Sequence, residues 1–236
     1  MMRTFSRSFG RAAVAIVFVA GIAKGPDAAA SLVLPDTSSN PGMYLTISVP
    51  GASYHHVDAR GGNFGGTLDG QALAATYCID VTRDIQPPGT YSTTVTNDGT
   101  TFGTPVANAG AVAWLILNLG ATATVGDEQN GLQAAIWRTE YGTGFELDGA
   151  DNSQSGNSST LIAQYRADLA LLGSNTAPVS DVLWISPVDS NLNNCQALAG
   201  LYVNNPAVVP EPSSLLLSAL GGCGAMAFFR RRKRTV

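Results

Sequence analysis

The chain has 236 residues, enough for one domain with a substantial core in addition to targeting segments. Its isoelectric point of about 5.0 averages over two basic ends, and few bases lie between them: Lys24, Arg60, Arg83, Arg138 and Arg166. Because nucleic-acid binding requires a basic surface, this composition excludes a nucleic-acid partner for the central domain.

The N-terminus has the three parts of a secretory signal peptide. An arginine-rich start leads into an apolar run at residues 12–23, and three alanines at residues 28–30 form a small-residue cleavage site. The apolar run is too short to span a bilayer, which disfavours a membrane anchor. We predict a signal peptide over residues 1–30 and an exported domain over residues 31–205.

The first half of the exported domain has the alternating pattern of short antiparallel strands. Residues 45–49 and 91–95 alternate apolar and polar side chains, and Pro87-Pro88-Gly89 forms a turn before the second strand. The same alternation in residues 77–81 predicts that Cys78 and Asp80 share one face of a strand.

Two motifs in this half are weaker candidates for a binding site. His55-His56 could be a metal pair, but strand neighbours point to opposite faces and no second ligand cluster accompanies them. The glycine-rich residues 61–66 lack the helix that follows a dinucleotide-binding fingerprint, so we interpret them as a flexible turn.

Helical periodicity follows in the second half. Its apolar spacing predicts a helix ending at Gly120, a second over residues 127–141 and a third over residues 160–172. In the second helix, Gln133 and Trp137 lie one turn apart, beside the face formed by Leu132, Ala135, Ile136 and Thr139. This arrangement puts Gln133 at the boundary of the predicted buried stripe.

The remaining elements complete an α+β fold. Residues 183–185 and 201–203 are predicted closing strands, which indicates an antiparallel β-sandwich or barrel with a helical insertion. Residues 148–156 partly fit a calcium-binding loop, but Ile162 replaces the bidentate glutamate, so a solvated loop is favoured. No serine lies in a G-x-S-x-G motif, so nothing supports a serine hydrolase.

Two segments carry a possible chemistry, Thr76-Tyr77-Cys78-Ile79-Asp80-Val81 and Gly131-Leu132-Gln133-Ala134-Ala135-Ile136-Trp137. A cysteine on a strand, followed by a glutamine in a helix that contains Ala-Ile-Trp, resembles the bacterial surface thioester domain. The resemblance covers approximately residues 44–203, with Leu132 where the family usually has threonine. It implies that the Cys78 sulfur and the Gln133 carboxamide condense, with loss of ammonia, into an internal thioester.

A thioester requires contact between the two groups, exclusion of water and polarisation of the carbonyl. Tyr77, Trp137 and Tyr141 are candidates to exclude water, and Asp80 is a candidate to influence proton transfer. The chemistry is a single-use acyl transfer to an amine or hydroxyl, without turnover, cofactor or metal. The sequence does not identify the covalent target.

A disulfide is the alternative for the same sulfur. Cys78 and Cys195 are the only cysteines of the exported domain, and two cysteines in an oxidising compartment commonly pair. A Cys78–Cys195 disulfide would describe an inert envelope or matrix protein with no covalent chemistry. The two interpretations exclude each other.

The C-terminal segment, residues 206–236, has its own signature. Pro210-Glu211-Pro212 precedes an apolar stretch at residues 215–229 and a basic cluster at residues 230–234, the order of a spacer, a short membrane helix and a cytoplasmic stop. This segment resembles the PEP-CTERM sorting signal of Gram-negative bacteria. The resemblance implies inner-membrane anchoring, cleavage by an exosortase and release to the outer surface or a biofilm matrix, where the chain would serve adhesion or exopolysaccharide association. An ordinary C-terminal anchor is the alternative.

Overall fold

The computed structural model describes residues 29–36, 42–124 and 126–203. Its strands are β1 (Ala29–Leu34), β2 (Gly42–Val49), β3 (Ala52–Arg60), β4 (Thr67–Leu68), β5 (Gln71–Cys78), β6 (Gly89–Thr96), β7 (Thr100–Thr101), β8 (Thr104–Pro105), β9 (Phe145–Leu147), β10 (Leu183–Val188) and β11 (Leu198–Tyr202). Its helices are α1 (Ala109–Leu115), α2 (Gly126–Tyr141) and α3 (Ser159–Leu172). A π-helical turn (Ile116–Gly120) extends α1, and two 3-10 turns occupy Gly142–Gly144 and Val179–Asp181.

Six strands of the described chain close an antiparallel barrel in the order β1-β4-β5-β11-β10-β6. Strands β3, β2 and β9 form a separate three-stranded sheet, and β7 pairs with β8. The predicted antiparallel, β-rich fold with a few helices is therefore confirmed, with a barrel as its main sheet. The predicted signal peptide lies almost entirely outside the described residues, and the sorting helix lies wholly outside them.

The helical insertion is visible in the barrel's strand order. Strand β10 pairs with β6, with Ile185 opposite Val95, although 90 residues of sequence separate these two. The β7–β8 hairpin, all three helices and β9 lie between the two strands along the chain. The insertion therefore leaves the barrel after β6 and returns to the neighbouring position at β10.

Local signals explain the ends of the helices. The first turn of α2 carries Asp127 and Glu128, whose negative charges are favourable at the positive end of the helix dipole. Gly142 follows the last residue of α2 and has a φ of 56°, which glycine adopts readily. Ser158 caps α3, because its hydroxyl accepts a hydrogen bond from the backbone N–H of Leu161 at 3.0 Å. Both predicted helices are thus confirmed to within about one residue at each end.

Helix α2 is more deeply buried than its sequence pattern predicts. Eight consecutive residues, 130–137, are buried, because α2 packs against α1 and α3 and also contacts β2 and β9. Gln133 is therefore enclosed in the core, and the prediction of a boundary position is wrong. In α3, Ile162 and Leu169 are only half-buried, and Leu161, Tyr165, Asp168 and Leu172 are the buried residues.

Among the described residues, no helix combines the length and apolar character needed to cross a membrane.

Candidate functional site

Cys78 is the last residue of β5, and its side chain is completely buried. The strand is held on one side by β11, where Leu198 lies opposite Cys78. Beyond Cys78 the chain leaves the ladder, and the backbone N–H groups of Ile79 and Asp80 both donate to Ala197 O, at 2.9 and 3.4 Å. The strand end thereby fixes the cysteine against the edge of the helical insertion.

The Gln133 carboxamide pairs with the Cys78 backbone. Its Oε1 accepts a hydrogen bond from the Cys78 N–H at 2.9 Å, and its Nε2 donates to Cys78 O at 2.6 Å. Gln133 is 0% exposed, so these two bonds satisfy a polar group that would be costly to bury alone. The structure therefore brings the two residues of the predicted thioester into direct contact.

The pairing also polarises the Gln133 carbonyl. A backbone N–H aimed at a carbonyl oxygen stabilises the negative charge that develops there when the carbon is attacked, as in an oxyanion hole. Here the Cys78 N–H supplies that hydrogen bond, 2.9 Å from the Gln133 oxygen. One of the three requirements of a thioester site is thus provided by the nucleophile's own backbone.

The Cys78 thiol has a polar partner of its own. Its Sγ donates to Gln196 Oε1 at 2.9 Å, and Gln196 Nε2 donates to Asp80 O at 2.7 Å. Burial raises the pKa of the thiol well above its usual range, and the carboxylates of Asp84 and Asp80 raise it further. The sulfur is therefore a neutral thiol at neutral pH.

Gln196 was not among the candidates from the sequence. It follows Cys195 in a polar segment, and glutamine there is indistinguishable by pattern from a solvated residue. The contact depends on the pairing of β11 with β5, which joins parts of the chain 118 residues apart. No local signal in the sequence could have found it.

The glycine-rich residues 61–66 form an irregular segment between β3 and β4 that contacts the site. Gly61 lies against Gln133 so closely that a Cβ there would come 2.6 Å from Gln133 Cγ. Asn63 fixes the segment to β5, because its Oδ1 accepts from Thr76 N–H at 2.9 Å and its Nδ2 donates to Ala74 O at 3.1 Å. Glycine is required at position 61 by this close approach.

Of the predicted supporting residues, Tyr141 and Trp137 lie at the site. The Tyr141 hydroxyl accepts from Val81 N–H and donates to Ile79 O, both at 3.2 Å, and so holds the segment that follows Cys78. Trp137 is 1% exposed, lies one turn after Gln133 and packs against Phe145 with ring centroids 5.8 Å apart. Tyr141 thus contacts the residue that follows Cys78, and Trp137 is buried one helical turn from Gln133.

Tyr77 is buried next to Cys78, whereas Asp80 lies differently from the prediction. The Tyr77 hydroxyl donates to Gly120 O at 3.2 Å, so this ring packs against the end of the α1 extension. The strand ends at Cys78, so Asp80 is not on its face; the Asp80 carboxylate accepts from Thr82 and pairs with Arg83. The backbone carbonyl of Asp80 is linked to the thiol through Gln196, and the Asp80 carboxylate acts on the thiol through its charge, which adds to burial in raising the pKa of the thiol.

The two cysteines of the described residues are both free. Cys195 is half-buried, and its Sγ lies 3.8 Å from Asn193 O, whereas the Cys78 thiol points to Gln196. Each sulfur therefore has its own polar neighbour, and the structure does not join them as the disulfide interpretation requires.

The loop after β9 is organised around a buried carboxylate. Asp148 is 0% exposed and accepts from Thr46 Oγ1 at 3.0 Å and from Asn152 Nδ2 at 2.8 Å, while its Oδ2 lies 2.7 Å from His56 Nδ1. Residues 149–156 are exposed or half-buried, in agreement with the predicted solvated loop, and Asp148 is satisfied by protein groups. Among the described residues, no three or more His, Cys, Asp or Glu side chains are grouped to hold a metal ion.

A cavity of about 650 Å3 opens beside the Cys78–Gln133 pair. Gln196 and Trp137 line its wall, together with Phe64, Asp58, Asp84 and Arg60. Cys78 and Gln133 do not line the cavity, whereas Gln196, which bonds the Cys78 thiol, does.

Comparison with known proteins identifies the C-terminal segment. Residues 208–234 match the family model of the PEP-CTERM protein-sorting motif, which confirms the sorting motif predicted for this part of the chain. The match supports an exported protein of a Gram-negative bacterium that an exosortase processes at the membrane. No curated protein and no solved structure significantly matches the chain.

Proposed function

We propose that the exported domain forms an internal thioester between Cys78 and Gln133 and uses it once, to attach the chain covalently to an amine or hydroxyl group. The observation that carries the proposal is the paired contact between the Gln133 carboxamide and the Cys78 backbone, completely enclosed in the core. A buried glutamine on a helix needs some hydrogen-bond partner, and here both polar atoms of Gln133 are held against the backbone of the cysteine proposed to attack it.

Thioester formation requires no cofactor. The Cys78 sulfur attacks Gln133 Cδ while the Cys78 N–H stabilises the carbonyl oxygen. The C–N bond then breaks, and the thiol proton leaves with the nitrogen as ammonia. Because the neutral thiol is favoured by burial, the proton transfer must accompany the attack rather than precede it.

The enclosed position also supports storage of the activated bond. Water must be kept from a thioester until its target arrives, and both residues are 0% exposed. When an amine attacks, a C–N bond forms at residue 133, the C–S bond breaks and the amine proton passes to the Cys78 sulfur. The product is an amide at residue 133 and a free thiol, and the domain does not turn over.

The sorting motif supports a surface setting for this chemistry. A chain that is exported and cut by an exosortase is delivered to the outer surface or the extracellular matrix, where adhesion or exopolysaccharide association benefits from a covalent bond. The partners of the chain are then the exosortase, the membrane before processing, and a surface amine or hydroxyl.

Methylamine tests the proposed function. The purified domain should gain one methylamine per chain at residue 133, with release of one thiol at Cys78, as read by peptide mass spectrometry and thiol titration. Cys78→Ala and Gln133→Ala should each abolish labelling, whereas the matched control Cys195→Ala should label as the wild type does. Labelling that survives Cys78→Ala would refute the proposal.

A further inference from the structure

We propose that Gln196 is a positioning residue for both steps of this chemistry, and that the cavity beside it receives the incoming amine or hydroxyl; the inference rests on the proposed function. Gln196 is the one described side chain that hydrogen-bonds the Cys78 sulfur and also lines the cavity. It is 8% exposed, so its contacts are made largely without competing water.

Gln196 is held in one orientation. Its Nε2 donates to Asp80 O at 2.7 Å, and its backbone N–H donates to Asp84 O at 3.1 Å. Since the amide nitrogen is committed to Asp80, the oxygen is the atom presented to the sulfur, as an acceptor 2.9 Å away. This hydrogen bond fixes the direction of the thiol before it attacks Gln133.

Thioester formation removes the hydrogen-bond donor of the Gln196 side-chain oxygen. Once the S–H proton has left with ammonia, Gln196 Oε1 has lost its donor and is a buried acceptor at the edge of the cavity. A primary amine or hydroxyl carries the N–H or O–H that this oxygen lacks. Gln196 therefore orients the attacking atom in the second step as it orients the thiol in the first.

Trp137 lines the same cavity, and its indole N–H is buried without a hydrogen-bond partner among the described residues. Because the indole nitrogen is closed to solvent, the oxygen of Gln196 is the polar atom on which the inference rests. The site therefore suits a group that bears an N–H or O–H at the reacting atom.

The test compares two nucleophiles of equal size on the purified, thioester-bearing chain. Methylamine brings a donor to Gln196, whereas methanethiolate attacks through sulfur without one. Gln196→Met keeps the side-chain length and removes both polar atoms. We expect it to slow ammonia loss and the methylamine reaction, each by about tenfold, while thiolate exchange stays within about twofold of the wild type.

Gln154→Met is the matched control. Gln154 is exposed in the loop after β9 and does not line the cavity. This variant should react with both nucleophiles as the wild type does. Equal losses in Gln154→Met and Gln196→Met would overturn the inference, and so would a Gln196→Met chain that loses thiolate exchange and aminolysis by the same factor.

A second variant covers the case in which Gln196→Met does not fold. Gln196→Glu keeps the shape, but its carboxyl can donate to Asp80 O only when protonated. Its aminolysis rate relative to the wild type should therefore rise from about pH 8 to about pH 5. A constant ratio contradicts the inference and leaves the thioester itself intact, whereas a wild-type chain that never loses ammonia removes both proposals.

Discussion

At the scale of single residues, Gln133 shows most clearly how the candidate site is held together. Burying an unpaired carboxamide costs several kcal/mol, so an enclosed glutamine must be satisfied wherever it lies. Here both atoms are used by one residue, Cys78, and the backbone of Gly61 approaches the Gln133 side chain from the other direction. The pair is therefore held in place by its neighbours as well as by its own hydrogen bonds.

The first prediction concerns Gly61. In Gly61→Ala the new methyl group would come 2.6 Å from Gln133 Cγ, which forces the carboxamide or the 61–66 segment to move. We expect a loss of about 1–3 kcal/mol in the free energy of unfolding and a smaller fraction of chains that react with methylamine. Thermal denaturation and mass spectrometry measure the two effects.

Gly110→Ala is the control for this substitution. Its Cβ would meet the nearest atom, Ala177 O, at an ordinary contact distance of 3.4 Å, and alanine favours the helix. Its melting temperature should be equal to or higher than that of the wild type. A Gly61→Ala chain that matches Gly110→Ala in both measurements would contradict the tight packing on Gln133.

The second prediction concerns a buried carboxyl near the site. Burial, and then the charge of Asp80, raise the pKa of Glu140 to about 9, although a hydrogen bond with the Tyr141 side chain lowers it. The folded state holds the proton of Glu140 more tightly than the unfolded state does. The contribution of this proton to the stability of the fold is therefore complete below the pKa of the unfolded state, and it is lost as the pH rises toward 9. The wild type should therefore lose stability from about pH 5 to pH 9 in part through Glu140.

Glu140→Gln removes this titration. We expect the variant to be more stable than the wild type at about pH 8, by an amount on the order of 2 kcal/mol, and no more stable at about pH 4. Urea denaturation at the two pH values measures the difference. A stability difference that does not change with pH would show that Glu140 does not titrate in this range.

At the scale of elements, the end of β5 matters more than its length. The strand stops at Cys78, and the segment beyond it is held by Ala197 and Tyr141, so the nucleophile lies where the ladder opens toward the helices. In the three-stranded sheet, a buried carboxylate links two strands to the loop after β9. Asp148 connects Thr46 on β2, His56 on β3 and the loop after β9.

Asp148→Ala is the prediction at this scale. It leaves the hydroxyl of Thr46, the amide of Asn152 and the ring of His56 without their common acceptor, so we expect a loss of about 2–4 kcal/mol in the free energy of unfolding. Asp58→Ala, which removes an exposed carboxylate from β3, should change stability by less than about 0.5 kcal/mol. Equal losses in the two variants would contradict the role of Asp148.

The sequence predicts helices and strands better than it predicts which residues contact one another. The helices at residues 126–141 and 159–172 follow from apolar periodicity and capping residues, which are local properties. The alternation around Cys78 fails to locate the strand end, because residues 77–79 are buried on both faces and alternation then carries no information. Gln196 joins the site through the pairing of β11 with β5, and Gly61 joins it through its contact with α2; no local pattern encodes either contact.

At the scale of the whole molecule, the barrel and its insertion place Cys78 and Gln133 at their common boundary. Cys78 belongs to the barrel and Gln133 to the inserted α2, so the thioester would be a covalent bond between these two parts. Breaking it on reaction with a target would remove that link. The sorting motif at residues 208–234 would deliver this unit to the cell exterior.

Sorting gives the prediction for the whole chain. With one epitope inside residues 31–205 and another after Val236, cells that contain an exosortase should retain the internal epitope in the envelope or medium without the terminal one. Replacing Pro210 and Glu211 by alanine should keep both epitopes in the inner membrane. If the two epitopes also stay together in the wild-type chain, the C-terminal segment is an anchor and not a cleaved signal.

The intact mass of the freshly purified exported domain tests the central claim most directly. We predict a mass lower than that of the unmodified sequence by one ammonia, restored by methylamine and absent in both Cys78→Ala and Gln133→Ala. Cys195→Ala should keep the deficit. A mass lower by only two hydrogens and restored by a reductant would indicate the Cys78–Cys195 disulfide, and either that result or an unmodified mass would contradict the thioester.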